Sequence, residues 1–479
     1  MLNFVRIFIK LKIFSMKRNI LLAVIFVLAF CFDGYSRIVE GVVMCQNKGL
    51  KNVLVSDGKT LTATGKKGKF KMDIDDNSEF IFIVTPAGYV ADWSSGVPEF
   101  YQATEGRNFF RFELMEYTTD LDNYNMVVMA DPQTHDHHHF SKFMSEPMID
   151  LCETVKNLPY AAIGLTLGDI CWDKIDIISE YKKGITQTGI PFYPVIGNHD
   201  HMAYCKGDSE SSAEYRSFLG PENYAFFICN DVVIVLDNII YDTDFKLELG
   251  YADHILKWVE GLMEYIPAGA DVFIAQHANC VRNYGRIKNL DALLSLLEGH
   301  EVKILSGHTH INGNRILSDF VVEHNIAAIC GAWWDTIHSI DGTPRGYKVY
   351  TKVNDELSWY YKPVDYDADY IAEVFTPGES QLHPESFVVN VWDWDENWTV
   401  EWWQDGEYAG ALSPVDEVSP VFVREIKAAY SSYGLEIPSW KRERPCGHNF
   451  VMTPAEGVKE VTVSVTSPFG NNCKFVLIK

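Results

Sequence analysis

The sequence predicts an α/β protein in which a central domain of strands and helices lies between two smaller β-rich domains. Strand patterns separated by turn residues fill 37–117, buried strands and a helical stretch alternate from Asn125 onward, and strand patterns return after about residue 365. At about 100–200 residues per domain, the 479 residues suit two to four domains. The apolar content of 47% and the charged content of 22% are typical of a globular chain.

Residues 1–36 are typical of an export signal. Basic residues precede the apolar run 20–32, whose 13 residues are too few to span a bilayer, and Gly34 and Ser36 indicate cleavage before Arg37. A short membrane anchor and a lipoprotein attached at Cys31 are the alternatives. The prediction is therefore a periplasmic or secreted protein, with anchoring to the envelope as its variant.

Charge and composition exclude several classes of protein. The net charge is −24, and it becomes −28 once the first 36 residues are removed; this argues against a nucleic-acid partner, which requires a cationic surface. No apolar run after the N-terminal segment is long enough to cross a bilayer, so a polytopic membrane protein is excluded. Ten cysteines without a C-x-x-C spacing indicate neither a disulfide scaffold nor a zinc ribbon. Dinucleotide, Walker A, zincin and serine-hydrolase motifs are also missing from the sequence.

The N-terminal domain is predicted over 37–118 as a β-sandwich. Strand patterns cover 38–43, 49–58 and 80–85, and the second ends in the turn signal Asp57-Gly58. This segment resembles the small carboxypeptidase-regulatory-like modules that often precede secreted enzymes.

The central domain is predicted over 119–360. Five buried strands are predicted in it, and they alternate with helical patterns such as 253–262. The strands lie at 126–130, 161–167, 192–196, 271–275 and 302–306. The pattern over 224–237 predicts a hairpin that turns at Asn230-Asp231.

The C-terminal domain is predicted over 365–479 as a β-rich sandwich. Strand patterns cover 386–392, 398–403 and 461–465. Two interpretations of its tryptophans stay open, a packed core and a sugar-binding surface, and strand spacing favours the core. The residues concerned are Trp392, Trp394, Trp398, Trp402 and Trp403.

Polar segments directly follow the five predicted strands of the central domain. They read Asp131-Pro132-Gln133, Gly168-Asp169, Gly197-Asn198-His199-Asp200, Gln276-His277-Ala278-Asn279 and Gly307-His308-Thr309-His310. Each alone is a weak signal, because a single Asp often caps a turn and a single His is often a core residue. Sites in open α/β sheets form at the carboxyl ends of strands, and mixed carboxylate, amide and imidazole donors suit Mn, Fe or Zn. Together the segments predict a metal site.

In this order the five segments resemble the calcineurin-like metallophosphoesterases, whose pattern is D-x-H, G-D, G-N-H-D/E, H and G-H-x-H. The resemblance covers about 120–355, and four of the five blocks fit. The flanking modules and the segment 331–347 look like a secreted three-domain subgroup of Bacteroidetes type. The resemblance implies a calcineurin-like β-sandwich core flanked by helices.

The resemblance also implies two divalent metal ions that share a bridging Asp169. The first ion would be held by Asp131, Gln133, Asp169 and His310, and the second by Asp169, Asn198, His277 and His308. Gln133 stands where the family usually has His, although some relatives that cleave nucleotide-diphosphate links also carry D-x-Q. Its amide oxygen can still ligate a metal.

The implied reaction is hydrolysis of a phosphoester by a metal-activated water. His199 would act beside the leaving group, and Asp200 would orient its imidazole. A small-molecule phosphodiester, diphosphate or phosphomonoester is the expected substrate. An envelope nuclease and a non-catalytic binding protein on the same scaffold are the alternatives. The sequence indicates no oligomeric state.

Two further groups of residues admit more than one interpretation. The histidines that follow the first segment either contact substrate or belong to a solvated loop; they are His135, His137, His138 and His139. Trp333, Trp334 and His338 either line the substrate pocket or pack against the C-terminal domain.

Overall fold

The computed structural model describes residues 36–478, whose strands and helices form three successive groups. The predicted export signal, apart from Ser36, lies outside the described residues. Within them, no helix combines the length and the apolar character that a bilayer crossing requires. The nine cysteines of this part of the chain are all unpaired thiols.

The N-terminal group is a sandwich of two small sheets. Its strands are β1 (Ser36–Cys45), β2 (Lys48–Gly49), β3 (Leu54–Ser56), β4 (Leu61–Ala63), β5 (Lys69–Asp75), β6 (Phe80–Val84), β7 (Tyr89–Val90), β8 (Tyr101–Ala103) and β9 (Phe109–Glu116). One sheet has the order β2-β1-β9-β7 with β5 also paired to β1, and the other has the order β4-β3-β6-β8. The prediction of a single strand over 49–58 is wrong. The chain turns at Asn52, whose φ of 63° is left-handed, so β2 and β3 belong to different sheets.

The strands of the middle group run from residue 123 to residue 363. They are β10 (Asn123–Met129), β11 (Ala162–Leu167), β12 (Phe192–Val195), β13 (Tyr224–Ile228), β14 (Asp231–Val235), β15 (Ile239–Tyr241), β16 (Leu247–Leu249), β17 (Val272–Ala275), β18 (Val281–Arg282), β19 (Gly285–Arg286), β20 (Val302–Ser306), β21 (Gly313–Ser318), β22 (Val321–Asn325), β23 (Gly346–Val353) and β24 (Glu356–Pro363). The last strand, β24, extends three residues beyond the predicted end of the central domain at residue 360, because it pairs with β23 along its whole length.

Two sheets of this group form a sandwich, with the orders β12-β11-β10-β23-β24 and β13-β14-β17-β20-β22-β21. Side chains of β10 alternate between two cores: Met126 packs with Ile274 of the facing sheet, whereas Val127 packs with Leu151 of a covering helix. This is the predicted α/β fold with a β-sandwich core, and the prediction is confirmed.

Helices cover the outer faces of the sandwich. They are α1 (His137–Ser145), α2 (Pro147–Lys156), α3 (Ile178–Ile185), α4 (Asp208–Ser211), α5 (Ala213–Leu219), α6 (Asp253–Met263) and α7 (Leu290–Leu296), with short 3-10 turns at Ile175–Ile177 and Thr186–Thr188. The helix predicted over 253–262 is present as α6. The predicted hairpin is also present, but its turn lies at Cys229-Asn230. Asp231 already pairs with Ile228, and Cys229 takes the left-handed backbone that the turn needs.

The C-terminal group is a sandwich of two four-stranded sheets with one helix. Its elements are β25 (Ala372–Phe375), β26 (Phe387–Val391), β27 (Thr399–Gln404), β28 (Glu407–Ala411), β29 (Val415–Glu417), α8 (Pro420–Ser432), a 3-10 turn (Ser439–Lys441), β30 (Cys446–Met452), β31 (Glu460–Thr466) and β32 (Asn472–Ile478). The sheet orders are β25-β26-β30-β29 and β28-β27-β31-β32. Trp392 and Trp398 are buried, which favours the core interpretation of these tryptophans.

The sequence did not predict α8, although its start follows ordinary capping rules. Ser419 accepts a hydrogen bond from the Phe422 N–H, and Pro420 occupies the first turn. Phe422 and Ile426 of this helix pack against Ala332 and Ile340 of the middle group. The helix therefore fixes the C-terminal sandwich beside the loops at the carboxyl ends of the middle strands.

A buried ion pair strengthens the same interface. Lys348 Nζ lies 2.5 Å from Asp393 Oδ1 and donates to Asn314 Oδ1 at 2.9 Å, and both charged side chains are at most 2% exposed. Removing one partner of such a pair leaves an uncompensated buried charge, at a cost of roughly 3–5 kcal/mol. The middle and C-terminal groups are therefore held in one arrangement.

Candidate metal centre

The polar segments predicted as ligands follow five strands of the two facing sheets. β10, β11 and β12 are parallel neighbours in one sheet, and β17 and β20 are parallel neighbours in the other. Because the carboxyl ends of these strands meet at one edge of the sandwich, the five loops that follow them lie together.

The ligand loops have an unusual backbone. Five of the predicted ligands have positive φ angles between 41° and 70°: Asp131, Gln133, Asp169, His308 and His310. Residues with side chains rarely adopt this conformation, and such strain collects at functional sites. Glycines permit the close approach of the loops, since a Cβ at Gly197 would lie 2.2 Å from the Asp169 nitrogen and one at Gly307 would lie 2.5 Å from Asp131 Oδ2.

Four side chains form one group: His277 lies at its centre, and Asp169, Asn198 and His308 surround it. Its Nδ1 lies 2.8 Å from the Leu167 carbonyl oxygen, which leaves Nε2 facing the site. That Nε2 is 3.1 Å from Asn198 Oδ1, 3.1 Å from His308 Nδ1 and 3.3 Å from Asp169 Oδ1. Among the described residues, Asp169, His277 and His308 form a cluster whose ligand atoms lie within 4.8 Å of one another.

A second group adjoins the first through Asp169. Gln133 Nε2 donates to Asp169 Oδ2 at 2.8 Å, and His310 Nε2 lies 3.6 Å from Asp131 Oδ1. Asp131 Oδ1, Gln133 Oε1 and His310 Nε2 are buried and have no hydrogen-bond partner within residues 36–478. A buried polar atom without a partner is energetically costly. Oxygen and nitrogen donors of this kind are satisfied when they ligate a divalent cation. The residues of both groups therefore fit divalent metal ions.

Burial and mutual charges shift the pKa values of these side chains. Burial raises the pKa of Asp131 to about 7 and lowers the pKa of His310 to about 4. Burial also lowers the pKa of His277, but the charge of Asp169 outweighs this effect and raises that pKa to about 9. Bound cations would instead favour ionised carboxylates and neutral imidazoles throughout the cluster.

The structure corrects one predicted contact. His199 Nδ1 lies 2.8 Å from Asp173 Oδ1, so Asp173 rather than Asp200 orients this ring. The buried Asp200 carboxylate accepts hydrogen bonds from the N–H groups of Ile170, Cys171 and Gly197. Asp200 therefore shapes the ligand loops, whereas its backbone neighbour His199 turns toward the opening of the site.

The further histidines make contacts outside the metal cluster. His135 Nδ1 lies 3.1 Å from the Trp172 carbonyl oxygen, His137 contacts Glu180, and His139 stacks on Trp334. These contacts are made to the protein itself, so they favour the interpretation of this segment as a solvated loop and helix start over contact with substrate.

Of the three residues proposed as pocket walls, Trp333 lines the site, His338 packs against the C-terminal domain, and Trp334 packs within the middle group, which neither interpretation predicted. Trp333 stacks on His310 with ring centroids 4.4 Å apart, so it lines the site. Trp334 donates its indole N–H to the Pro132 carbonyl and is buried, and His338 contacts Glu425 of α8. These two residues pack the surrounding structure.

Sequence reasoning missed three residues beside the site. Asp173 and Trp172 follow Asp169 in the same loop, and Trp440 reaches the site from the C-terminal domain. Proximity to the Gly-Asp block could have indicated Trp172 and Asp173. No sequence signal connects Trp440 to loops more than 100 residues away.

Comparison with known families agrees with the geometry. Residues 37–117 match the N-terminal domain of calcineurin-like phosphoesterases, 125–312 match the calcineurin-like phosphoesterase domain, and 323–473 match the C-terminal domain of the same proteins. The chain belongs to the calcineurin-like phosphoesterases, and the resemblance drawn from its motifs is confirmed. It is accordingly a metal-dependent hydrolase of phosphoric esters that uses divalent metal ions.

The solved structures to which the chain is similar are distant in sequence. A dimetal phosphatase from Danio rerio is 13% identical and has a TM-score of 0.34, over 50% of this chain and 96% of that one. A 5'-nucleotidase from Candida albicans is 13% identical with a TM-score of 0.33, over 51% of this chain and 52% of that one. A 5'-nucleotidase precursor from Thermus thermophilus is 10% identical with a TM-score of 0.30, over 50% and 54%. No curated protein matches the chain significantly.

Proposed function

We propose that the protein is an exported hydrolase of small-molecule phosphoesters that works with two divalent metal ions. The observation that carries the proposal is the convergence of seven donor side chains from five loops. Within the described part of the chain, three of these side chains carry a buried atom without a hydrogen-bond partner. Asp131, Gln133, Asp169 and His310 would hold one ion, and Asp169, Asn198, His277 and His308 would hold the other. The mixed nitrogen and oxygen donors suit Mn, Fe or Zn.

When bound, such ions supply Lewis acidity that activates a water and polarises the phosphoryl group. The protein holds the ligand rings in fixed orientations for this task. The Leu167 carbonyl fixes His277, and the Gly331 carbonyl, 2.9 Å from His310 Nδ1, fixes His310 with its Nε2 toward the site.

His199 is the proposed proton donor to the leaving oxygen. Its backbone N–H donates to Asp169 Oδ1 at 2.9 Å, which places the residue at the edge of the metal cluster. Its Nδ1 is held by Asp173, so a proton on Nε2 is free to move to the leaving group. The His199 side chain is 26% exposed, which leaves the ring open to a substrate.

The substrate class follows from charge and from the completeness of the ligand set. The proposed mature chain carries a net charge of −28, which repels a long polyanion and favours a small phosphodiester, diphosphate or phosphomonoester over the nuclease alternative. All seven donors and His199 are present, which supports catalysis over a non-catalytic scaffold.

The test uses the protein from Arg37 to Lys479, loaded separately with Mn²⁺, Fe²⁺ or Zn²⁺. We expect hydrolysis of bis(p-nitrophenyl) phosphate, p-nitrophenyl phosphate or a diphosphate ester with at least one metal. Activity should be lost with a chelator and in the Asp169→Asn variant. Folded, metal-loaded protein that hydrolyses none of these substrates would contradict the proposal, and preferential digestion of DNA or RNA would favour the nuclease.

Export is the second part of the proposal, and it rests on the sequence alone. The basic start, the apolar run 20–32 and the small residues Gly34 and Ser36 support cleavage before Arg37. Peptide mapping of cell fractions should find a mature N-terminus at Arg37 in the periplasm or medium. Recovery of a cytoplasmic protein that retains residues 16–36 would refute export, and lipid on Cys31 would show an envelope anchor instead.

A further inference from the structure

Three tryptophans from separate parts of the chain form an aromatic surface beside His199. The Trp172 ring centroid lies 5.6 Å from that of His199, and the Trp440 ring stands edge-on to Trp172 at 6.1 Å and to Trp333 at 4.8 Å. Trp172 follows the ligand Asp169, Trp333 stacks on the ligand His310, and Trp440 comes from the C-terminal domain. We call Trp172, Trp333 and Trp440 the tryptophan cleft.

Lys441 fixes the geometry of the tryptophan cleft. Its Nζ lies 4.9 Å from the Trp440 ring centroid, 5.4 Å from that of Trp333 and 5.8 Å from that of Trp172. The side chain is 8% exposed and forms an ion pair with Asp335. A desolvated ammonium among aromatic rings is attracted to each ring face. Lys441 is therefore a positioning residue for the cleft.

A second contact joins the same C-terminal segment to the metal loops. Arg444 Nη2 donates to the Thr309 carbonyl oxygen at 3.2 Å, and Thr309 lies between the ligands His308 and His310. The segment 439–444 therefore contacts the site through Trp440 and through Arg444. The Trp440 ring packs against Trp172 and Trp333 of the loops at the site.

Trp440 is only partly covered by its neighbours. Its side chain is 50% exposed, and it belongs to none of the buried apolar clusters of the described residues. A large aromatic ring held at a fixed angle and open to solvent leaves apolar surface uncovered, and such surface next to a polar site is typical of a ligand pocket.

We propose that the tryptophan cleft is the subsite for the leaving group, and that this group carries a flat aromatic ring. The inference rests on the proposed function, because it takes His199 as the donor to the leaving oxygen. Trp172 contacts that histidine, so a ring attached to the leaving oxygen reaches the cleft directly. Aromatic faces bind flat rings by stacking, which lowers the dissociation constant by about 10- to 100-fold per ring.

The test compares three esters of one phosphate, with benzyl, cyclohexylmethyl and n-butyl alcohols as leaving groups, each as a phosphomonoester and as a methyl phosphodiester. All three alcohols are primary and of similar basicity, so differences report on binding of the leaving group. We expect the metal-loaded protein to favour the benzyl ester over the n-butyl ester about tenfold in kcat/KM. The cyclohexylmethyl ester, which has bulk but no flat ring, should behave like the n-butyl ester.

The matched variants are Trp440→Ala, Trp440→Phe and Tyr433→Ala. Trp440→Ala should lower kcat/KM for the benzyl ester about tenfold, mainly through KM, and should lower it much less for the n-butyl ester, so that the preference for the benzyl ester is lost. Trp440→Phe keeps a ring and should retain most of the preference. Tyr433 is an aromatic of the same domain that is 79% exposed, so its variant controls for loss of surface area. Benzylphosphonate cannot be hydrolysed, and its dissociation constant can be measured by calorimetry. We expect this constant to rise about tenfold in Trp440→Ala and to change little in Trp440→Phe and Tyr433→Ala.

The outcomes separate this inference from the proposed function. If the metal-loaded protein hydrolysed none of the esters, the proposed function would fail. If it hydrolysed all three equally and Trp440→Ala changed neither their rates nor phosphonate binding, the function would stand and the aromatic subsite would be wrong. Equal preference for benzyl and cyclohexylmethyl esters would also overturn it, because the cleft would then select bulk rather than flat rings. Unfolding temperature and metal content establish that each variant is folded.

Discussion

His199 and Asp173 are joined twice, across the loops that follow two neighbouring strands. Asp173 Oδ1 lies 2.8 Å from His199 Nδ1, and the Asp173 N–H donates to the His199 carbonyl oxygen at 3.1 Å. A histidine with one nitrogen held by a carboxylate has a defined ring orientation and a defined free nitrogen. In the proposed reaction, the pair would therefore determine where a proton is delivered beside the predicted metal ligands.

Replacing Asp173 should impair catalysis without removing metal. We expect Asp173→Ala to lower kcat by roughly 10- to 100-fold, the usual effect of losing the partner that orients a functional histidine. Asp173→Glu should recover part of the loss. The matched control is Asp176→Ala, since Asp176 is an exposed acid of the same loop. An Asp173→Ala variant with unchanged kcat would show that orientation by this carboxylate is unimportant.

Replacing His199 itself should separate proton transfer from metal binding. We expect His199→Ala to keep its metal content and to lose roughly 10²–10⁴-fold in kcat, the usual effect of losing a positioned proton donor. The loss should be smaller for p-nitrophenyl esters, whose leaving groups need little protonation. Metal analysis and kcat on a poor and a good leaving group are the measurements. Loss of metal would make His199 a ligand, and full activity on the poor leaving group would exclude its catalytic role.

Gln133→His should tighten the first metal position. The buried amide Oε1 of Gln133 has no hydrogen-bond partner among residues 36–478, and a neutral amide oxygen is a weaker donor to Mn, Fe or Zn than imidazole. We expect greater metal retention than in the unmodified protein after dialysis against a weak chelator, and lower retention in the control Gln133→Ala. If all three proteins retained metal equally, Gln133 would not be a ligand.

The stability of the metal-free protein should depend on His201. This fully buried ring lies between the Gly197 carbonyl and Asp237, with Asp208 nearby. Burial lowers its pKa, but the charge of Asp237 outweighs this effect and raises the pKa to about 9. A raised pKa in the folded state stabilises the protein below pH 6.5, the ordinary value, and this contribution disappears as the pH rises through about 9.

The measurement is the urea midpoint of the metal-free protein and of His201→Gln at pH 6, 7.5 and 9.5. At pH 6 the variant should be less stable by roughly 3 kcal/mol, because each pKa unit corresponds to about 1.4 kcal/mol. The difference should narrow toward pH 9.5. A difference that stays constant over this range would show that the His201–Asp237 pair carries no pH-dependent stability.

Local patterns were sufficient to predict the elements that carry the site. The strands that end before Asp131, Asp169 and Asn198 are continuous buried runs, and each is followed by glycine or proline and a polar residue. These features are encoded within a few residues, so the middle sandwich and the helix at 253–262 could be predicted without knowledge of distant contacts. The helix α8 could not, because its start Pro420-Val-Phe-Val resembles a strand and its helical form depends on burial against Ala332 and Ile340.

The sequence by itself predicted which side chains would bind metal, through the order and spacing of the five polar segments. Only the tertiary structure decided what surrounds them. Asp200 is the neighbour of His199 in the chain, yet Asp173, 26 residues away, orients the ring. Likewise Trp440 reaches the site only because the C-terminal domain docks beside the metal loops. Which of several chemically suitable residues makes a contact depends on how loops from different strands pack, and this packing is a property of the whole fold rather than of any local segment.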